Sequence, residues 1–178
     1  MHKLAFFPFA ALLAGALPAG AASGCEAVIA ANLKTLHVPT HLYMTETASF
    51  NGGKTRNAET IYLNGNIYVK VNGPWRKSAI SPEDLAEGKK ESEGNVGTCS
   101  VVRDEAVGVE PATLYKIHQQ TPDGTVDTQV WVSKLRGLPL KQINDIDVGG
   151  GARGKSHRET RYEYSGVSAP AVAETTRK

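Results

Sequence analysis

The sequence predicts an α+β protein built on a curved antiparallel sheet of about seven or eight strands, with one N-terminal helix and one short central helix. Three observations lead there. From residue 40 onward the apolar residues recur with period two in segment after segment. Turn chemistry separates these segments: Asn51-Gly52-Gly53, Asn64-Gly65, Asn72-Gly73-Pro74 and Pro122-Asp123-Gly124. Helical signals occur in only two stretches of the folded part, near residues 25–36 and 81–90.

In the first of these, Cys25, Val28, Ile29, Asn32, Leu33 and Leu36 fall near one helical face, Glu26 suits the helix N-terminus, and His37-Val38-Pro39 stops the run. Strands are then expected at 40–50, 58–63 and 66–71, the last two joined by Asn64-Gly65, a two-residue hairpin signal. Ser81-Pro82-Glu83-Asp84 supplies an N-cap hydroxyl, a proline at the first helical position and a carboxylate three residues after the cap, so a short helix runs to about Lys90. A polar loop delivers Cys99. Further strands follow at 99–103, 112–119, 126–133, 138–146 and 156–164, and the tail 167–178 has no periodicity and is expected to be disordered.

The 178 residues carry 20 Lys+Arg against 18 Asp+Glu, a net charge of +2, which excludes a strongly basic nucleic-acid binder. Residues 1–22 read as an export signal: Met1-His2-Lys3 is a basic start, Leu4 to Leu17 an apolar run too short to span a bilayer, and Ala19-Gly20-Ala21 an A-x-A match. The folded domain is then 23–166, in a periplasmic or secreted protein that does not span the membrane. Export makes a Cys25–Cys99 disulfide the first expectation for the two cysteines. The competing reading is a lipobox, Ala22-Ser23-Gly24-Cys25, in which Cys25 is acylated and anchors the chain; it leaves Cys99 as an odd thiol, and Ala22 stands where such boxes usually have Leu.

Candidate chemistry is sparse. Gly149-Gly150-Gly151-Ala152-Arg153-Gly154 matches G-x-G-x-x-G, but a strand rather than a helix is expected after it, so it reads as a hairpin loop. Asp145 and Asp147 begin like a calcium loop that Gly149 and Ser156 then fail to continue. His37, His41, His118 and His157 lack metal-site spacing, and no Ser/His/Asp or paired-carboxylate pattern emerges. No enzyme activity, cofactor or metal is therefore expected. In the basic run around Lys155, His157, Arg158 and Arg161, strand alternation splits the charge, with Arg158 on the face opposite the others. Alternation also suggests one aliphatic face from Leu42, Met44, Ile61, Leu63, Ile67, Val69, Val71, Val130 and Val132, with Tyr43, Tyr62, Tyr68 and Trp131 on the other.

Three passages carry a family resemblance: Ile61-Tyr62-Leu63-Asn64-Gly65-Asn66-Ile67-Tyr68-Val69, Val107-Gly108-Val109-Glu110-Pro111-Ala112, and Val130-Trp131-Val132-Ser133-Lys134-Leu135-Arg136-Gly137-Leu138-Pro139-Leu140-Lys141. Together they resemble LolA-like periplasmic proteins, the group of outer-membrane lipoprotein carriers and the N-terminal domain of RseB-type stress regulators. The resemblance implies an unclosed half-barrel whose concave face accepts acyl chains or lipidated proteins. The expected function is a non-enzymatic periplasmic binding protein with an apolar groove for lipid or lipoprotein acyl chains, lined by Leu42, Met44, Leu63, Ile67, Val69 and Val132. The alternative is an envelope protein–protein interaction module that uses the Tyr43/Tyr62/Tyr68/Trp131 face and takes no lipid.

Overall fold

A computed structural model describes residues 24–49, 52–91, 97–149 and 154–172. The expected export signal at 1–22, most of the 149–154 glycine loop and the end of the tail lie outside the described residues. Helix α1 (Gly24–Thr35) leads into β1 (Thr40–Ala48), β2 (Thr55–Leu63), β3 (Asn66–Val71) and the two-residue β4 (Arg76–Lys77). Helix α2 (Pro82–Glu91) follows, then β5 (Thr98–Val107), β6 (Glu110–Thr121), β7 (Gly124–Ser133), β8 (Pro139–Asp147) and β9 (Lys155–Glu163). All nine strands form one sheet in the order β4-β3-β2-β1-β9-β8-β7-β6-β5, antiparallel throughout and open at both edges. The first and last long strands thus meet in the middle of the sheet.

The strand beyond the expected eight is β4, too short for any periodicity to reveal. Strands β5 and β6 are longer than the Gly108 and Pro111 breaks implied. Gly108 takes a positive φ of 63° in a tight turn with the fully exposed Val109, and Pro111 is tolerated near the strand start. The α2 cap forms as its sequence requires: Ser81 N–H donates to Asp84 Oδ2 at 2.9 Å and Asp84 N–H to Ser81 Oγ at 3.1 Å. The tail is placed as far as Val172, which makes a parallel bridge to Trp75, in contrast to the disorder expected from residue 167. That contact joins residues far apart in sequence, so periodicity carried no trace of it.

The main core lies where α1 crosses one face of the sheet. Val28 and Ala31 pack on Val130 and Val132 of β7, with Tyr115 and Ile117 of β6 alongside. The small Ala31 is buried where the expected helical face had Asn32 and Leu33, consistent with a close approach of helix to sheet. Thr35 donates to the Ala31 carbonyl at 2.9 Å, and Thr40, fully buried, donates to the Val38 carbonyl at 2.9 Å, which fixes the angle at which the chain leaves α1 for β1.

Gly124 opens β7 where β8 comes closest: an added Cβ would stand 1.8 Å from the Asp147 carbonyl oxygen and 2.7 Å from Val148 Cα. Gly124→Ala is expected to cost about 1–3 kcal/mol by forcing the two backbones apart. Gly88→Ala is the control; it sits in α2 with open space around it and is expected to gain about 0.5–1 kcal/mol. Denaturant midpoints of the two variants should therefore move in opposite directions.

Candidate ligand-binding face

Antiparallel register sorts every strand residue onto one of two faces. On the face that α1 covers, Tyr115 stands opposite Val130, Val130 opposite Gln142, Gln142 opposite Thr160, Thr160 opposite Met44, Met44 opposite Ala58 and Ala58 opposite Val71. Two residues along each strand, Leu42, Thr60, Val69 and Tyr162 continue this face. Tyr62 and Ile67 extend it by a further pleat.

The expected grouping is corrected at three residues. Tyr62 belongs with the aliphatic residues, and Ile61 and Leu63 belong with Tyr43, Tyr68 and Trp131 on the opposite face. The cause is the Asn64-Gly65 turn. With both residues at positive φ, 51° and 69°, the loop holds two residues and no more, so Leu63 pairs Asn66 and Tyr62 pairs Ile67. Leu63 thus lies on the face opposite the other residues expected to line a groove, and Tyr62 lies on their face.

The two halves of the helix-bearing face differ in packing. Under α1, Val130 and Val132 are buried, so Val132 is core. Over β1–β3, Leu42, Met44, Thr60, Tyr62 and Val69 are only half-buried, Ile67 is buried and Val71 is 51% exposed. A cavity of about 190 Å³ opens at the end of this half, between Leu36, His37, Val38 and Pro39, the Tyr62–Gly65 hairpin and Glu83 of α2. Burial raises the Tyr62 and Tyr162 hydroxyls above the ordinary phenol value, so both stay protonated donors.

Between the halves runs a polar seam on β8 and β9. The Tyr162 hydroxyl donates to Gln142 Oε1 at 3.2 Å, Gln142 Nε2 to Asn144 Oδ1 at 3.0 Å, and Thr128 Oγ1 to the same Oδ1 at 2.8 Å. Beside Asn144, Arg158 Nη2 donates to Glu46 Oε1 at 2.9 Å, an oxygen that also accepts from Ser156 Oγ at 2.9 Å. Strand alternation separates Arg158 from its basic neighbours, and its partner Glu46 lies 112 residues away, where no local pattern reaches.

The opposite face is laced with ion pairs and capped aromatics. The Arg161 guanidinium lies 4.8 Å from the Tyr43 ring centroid, Lys141 Nζ lies 5.6 Å from that of Trp131, and Glu59 joins Lys70 at 2.8 Å and His41 at 2.9 Å. His157 meets Asp145 and His118 meets Asp127, both at 2.7 Å. The motif Gly149–Gly154 leads into strand β9, so no helix N-terminus stands there to receive a phosphate.

Several carboxylates have pKa values below their ordinary 4.5: Glu46 through its bond from Arg158, Glu59 through Lys70, and Glu110 through Arg136, whose Nε donates at 2.8 Å. A depressed folded pKa contributes stability that is complete above 4.5 and lost as pH falls through the folded values. Acid melts should therefore show stability declining below about pH 4.5, with a shallower decline in Glu110→Gln, which has no carboxylate to protonate at that position.

An open antiparallel sheet with a helix packed on one face is the architecture that the resemblance of the three sequence passages to LolA-like proteins implied. No family model matches the chain, and no curated protein matches it. Among solved structures it is similar to LprF from Mycobacterium bovis, with 10% identity, a TM-score of 0.45, and coverage of 85% of this chain and 97% of the other. It is also similar to the Mycobacterium tuberculosis lipoprotein LppX, with 13% identity, a TM-score of 0.47 and coverage of 80% and 98%. A third is MucB in complex with MucA(peri), with 13% identity, a TM-score of 0.44 and coverage of 84% and 57%.

Proposed function

We propose that the protein is an exported, non-enzymatic binding protein of the bacterial envelope that holds an acyl chain against the helix-bearing face over β1–β3. The observation that carries this reading is the contrast within one face: Val130 and Val132 under α1 are buried, while Leu42, Met44 and Val69 on the same face remain half-buried with no helix among the described residues packed over them. Uncovered aliphatic surface of this kind gains from contact with a chain, ideally about 0.8 kcal/mol per methylene buried. The lining of the groove is Leu42, Met44, Tyr62, Ile67 and Val69. Among the described residues no helix is long and apolar enough to cross a membrane.

Delipidated protein should bind a fluorescent fatty acid saturably, and mass spectrometry of protein purified from the periplasm should find a copurifying lipid. Absence of both sinks the reading. The interaction-module alternative loses Tyr62 to the groove face, and the rings of Tyr43 and Trp131 are already engaged with cations.

The same reading includes a Cys25–Cys99 disulfide. Cys99 stands opposite Ile117, which packs against the α1 cluster, and Cys25 lies in the first turn of α1. Among the described residues no cysteine is free.

A further inference from the structure

We propose that Arg158 and Asn144 form an anchor for the carboxylate of a single-chain amphiphile whose tail lies along the β1–β3 groove; this rests on the acyl-binding reading above. Five side chains stand in one cross-strand row on the helix-bearing face, in the order Arg56, Glu46, Arg158, Asn144, Thr128. Two guanidinium groups flank one carboxylate there, so the row has a surplus of one positive charge, matched to a monoanion. Next along the strands come Met44 and Ala58, then Leu42, Thr60 and Val69, then Tyr62 and Ile67. From the charged row to the Tyr62 row is six residues of strand, about 20 Å, long enough for an extended long-chain acyl group.

The donor geometry supplies the second argument. Arg158 Nε is shut off from water and has no acceptor, although the side chain as a whole is 36% exposed. A guanidinium with one N–H on Glu46 and another left unmade gains by turning so that Nε and an Nη together grip one carboxylate. Asn144 spends its Oδ1 on Thr128 and Gln142, which leaves its amide nitrogen to donate toward the same ligand. Glu46 is the internal competitor, an acidic side chain that holds Arg158 while no ligand is present.

The test is competition against a fluorescent fatty acid by palmitate, methyl palmitate and a lysophosphatidate. Wild-type protein should bind palmitate about tenfold more tightly than the methyl ester, one charge-assisted bond's worth of discrimination. Arg158→Met should remove most of that difference by weakening palmitate several-fold more than it weakens the ester. Glu46→Gln should tighten palmitate several-fold by releasing Arg158, a change opposite in sign to what damage to the fold would produce. Equal weakening of acid and ester in Arg158→Met, or no tightening in Glu46→Gln, overturns the anchor. Tighter binding of lysophosphatidate than palmitate overturns the choice of carboxylate in favour of phosphate. If wild-type protein binds none of the three, the acyl-binding reading itself has failed; binding of acid and ester with equal affinity leaves that reading standing and removes the anchor alone.

Discussion

Trp131→Ala is expected to destabilise the domain by about 3–5 kcal/mol, among the costliest single changes on the outer face of the sheet. Trp131 is on β7, and its indole N–H donates to the Glu105 carboxylate on β5. Strand β6 lies between the two, and neighbouring strands are about 4.8 Å apart, so the ring must reach across β6 to make that bond. Ala112 and Leu114 of β6 face the same side and are 0% and 1% exposed, although α1 is on the other side of the sheet. The indole therefore acts as a roof over a second, smaller core. Truncation uncovers Leu114, and Trp131→Phe, which keeps an aromatic cover and loses only the N–H to Glu105, should cost about 1–2 kcal/mol. Urea unfolding of the two variants checks the ordering; a loss below 1 kcal/mol in Trp131→Ala would show that Leu114 has other cover. A tryptophan committed in this way is a structural element, which lowers its value as a docking residue for another protein.

That roof illustrates which parts of the molecule can be read from sequence. Features set by a few neighbouring residues were legible: the Ser81/Asp84 cap and the two-residue turn at Asn64-Gly65 both follow from local hydrogen bonding and backbone sterics. Carried through strictly, the turn would also have assigned Tyr62 to the groove, since a two-residue hairpin pairs it with Ile67. Pairings between distant segments left no local signal. The β1–β9 ladder that closes the middle of the sheet, the reach of Trp131 across β6 and the Glu46–Arg158 pair all depend on strand order. Strand order also decides which apolar residues α1 covers, so Val132 and Met44 look alike in sequence and end in different environments, one in the core and one half-buried on the same face.

Reduction of the proposed Cys25–Cys99 disulfide should lower stability by about 4 kcal/mol in the chain-entropy treatment, because the bond closes a loop of some 75 residues. The loop contains β1, β2, β3, β4 and α2, the whole half of the molecule that carries the groove. Its ends join at the point where the start of α1 crosses toward β5, an edge strand with a neighbour on one side only. The apolar contact of Val28 and Ala31 and the Lys34–Arg136 bond hold α1 beyond its first turn, so the link is what ties the helix start to β5. Cys99→Ser should therefore lower the melting temperature by roughly 10 °C, and reductant should have the same effect on wild-type protein and none on the variant. Intact mass before and after reduction and alkylation separates this from the lipobox reading: a gain of two alkyl groups only after reduction supports the bridge, and a diacylglyceryl mass on Cys25 overturns it. In the second case Cys25 would tether the domain to a membrane and the proposed groove would work at the bilayer surface; in the first Cys25 is committed to the fold and carries no lipid anchor.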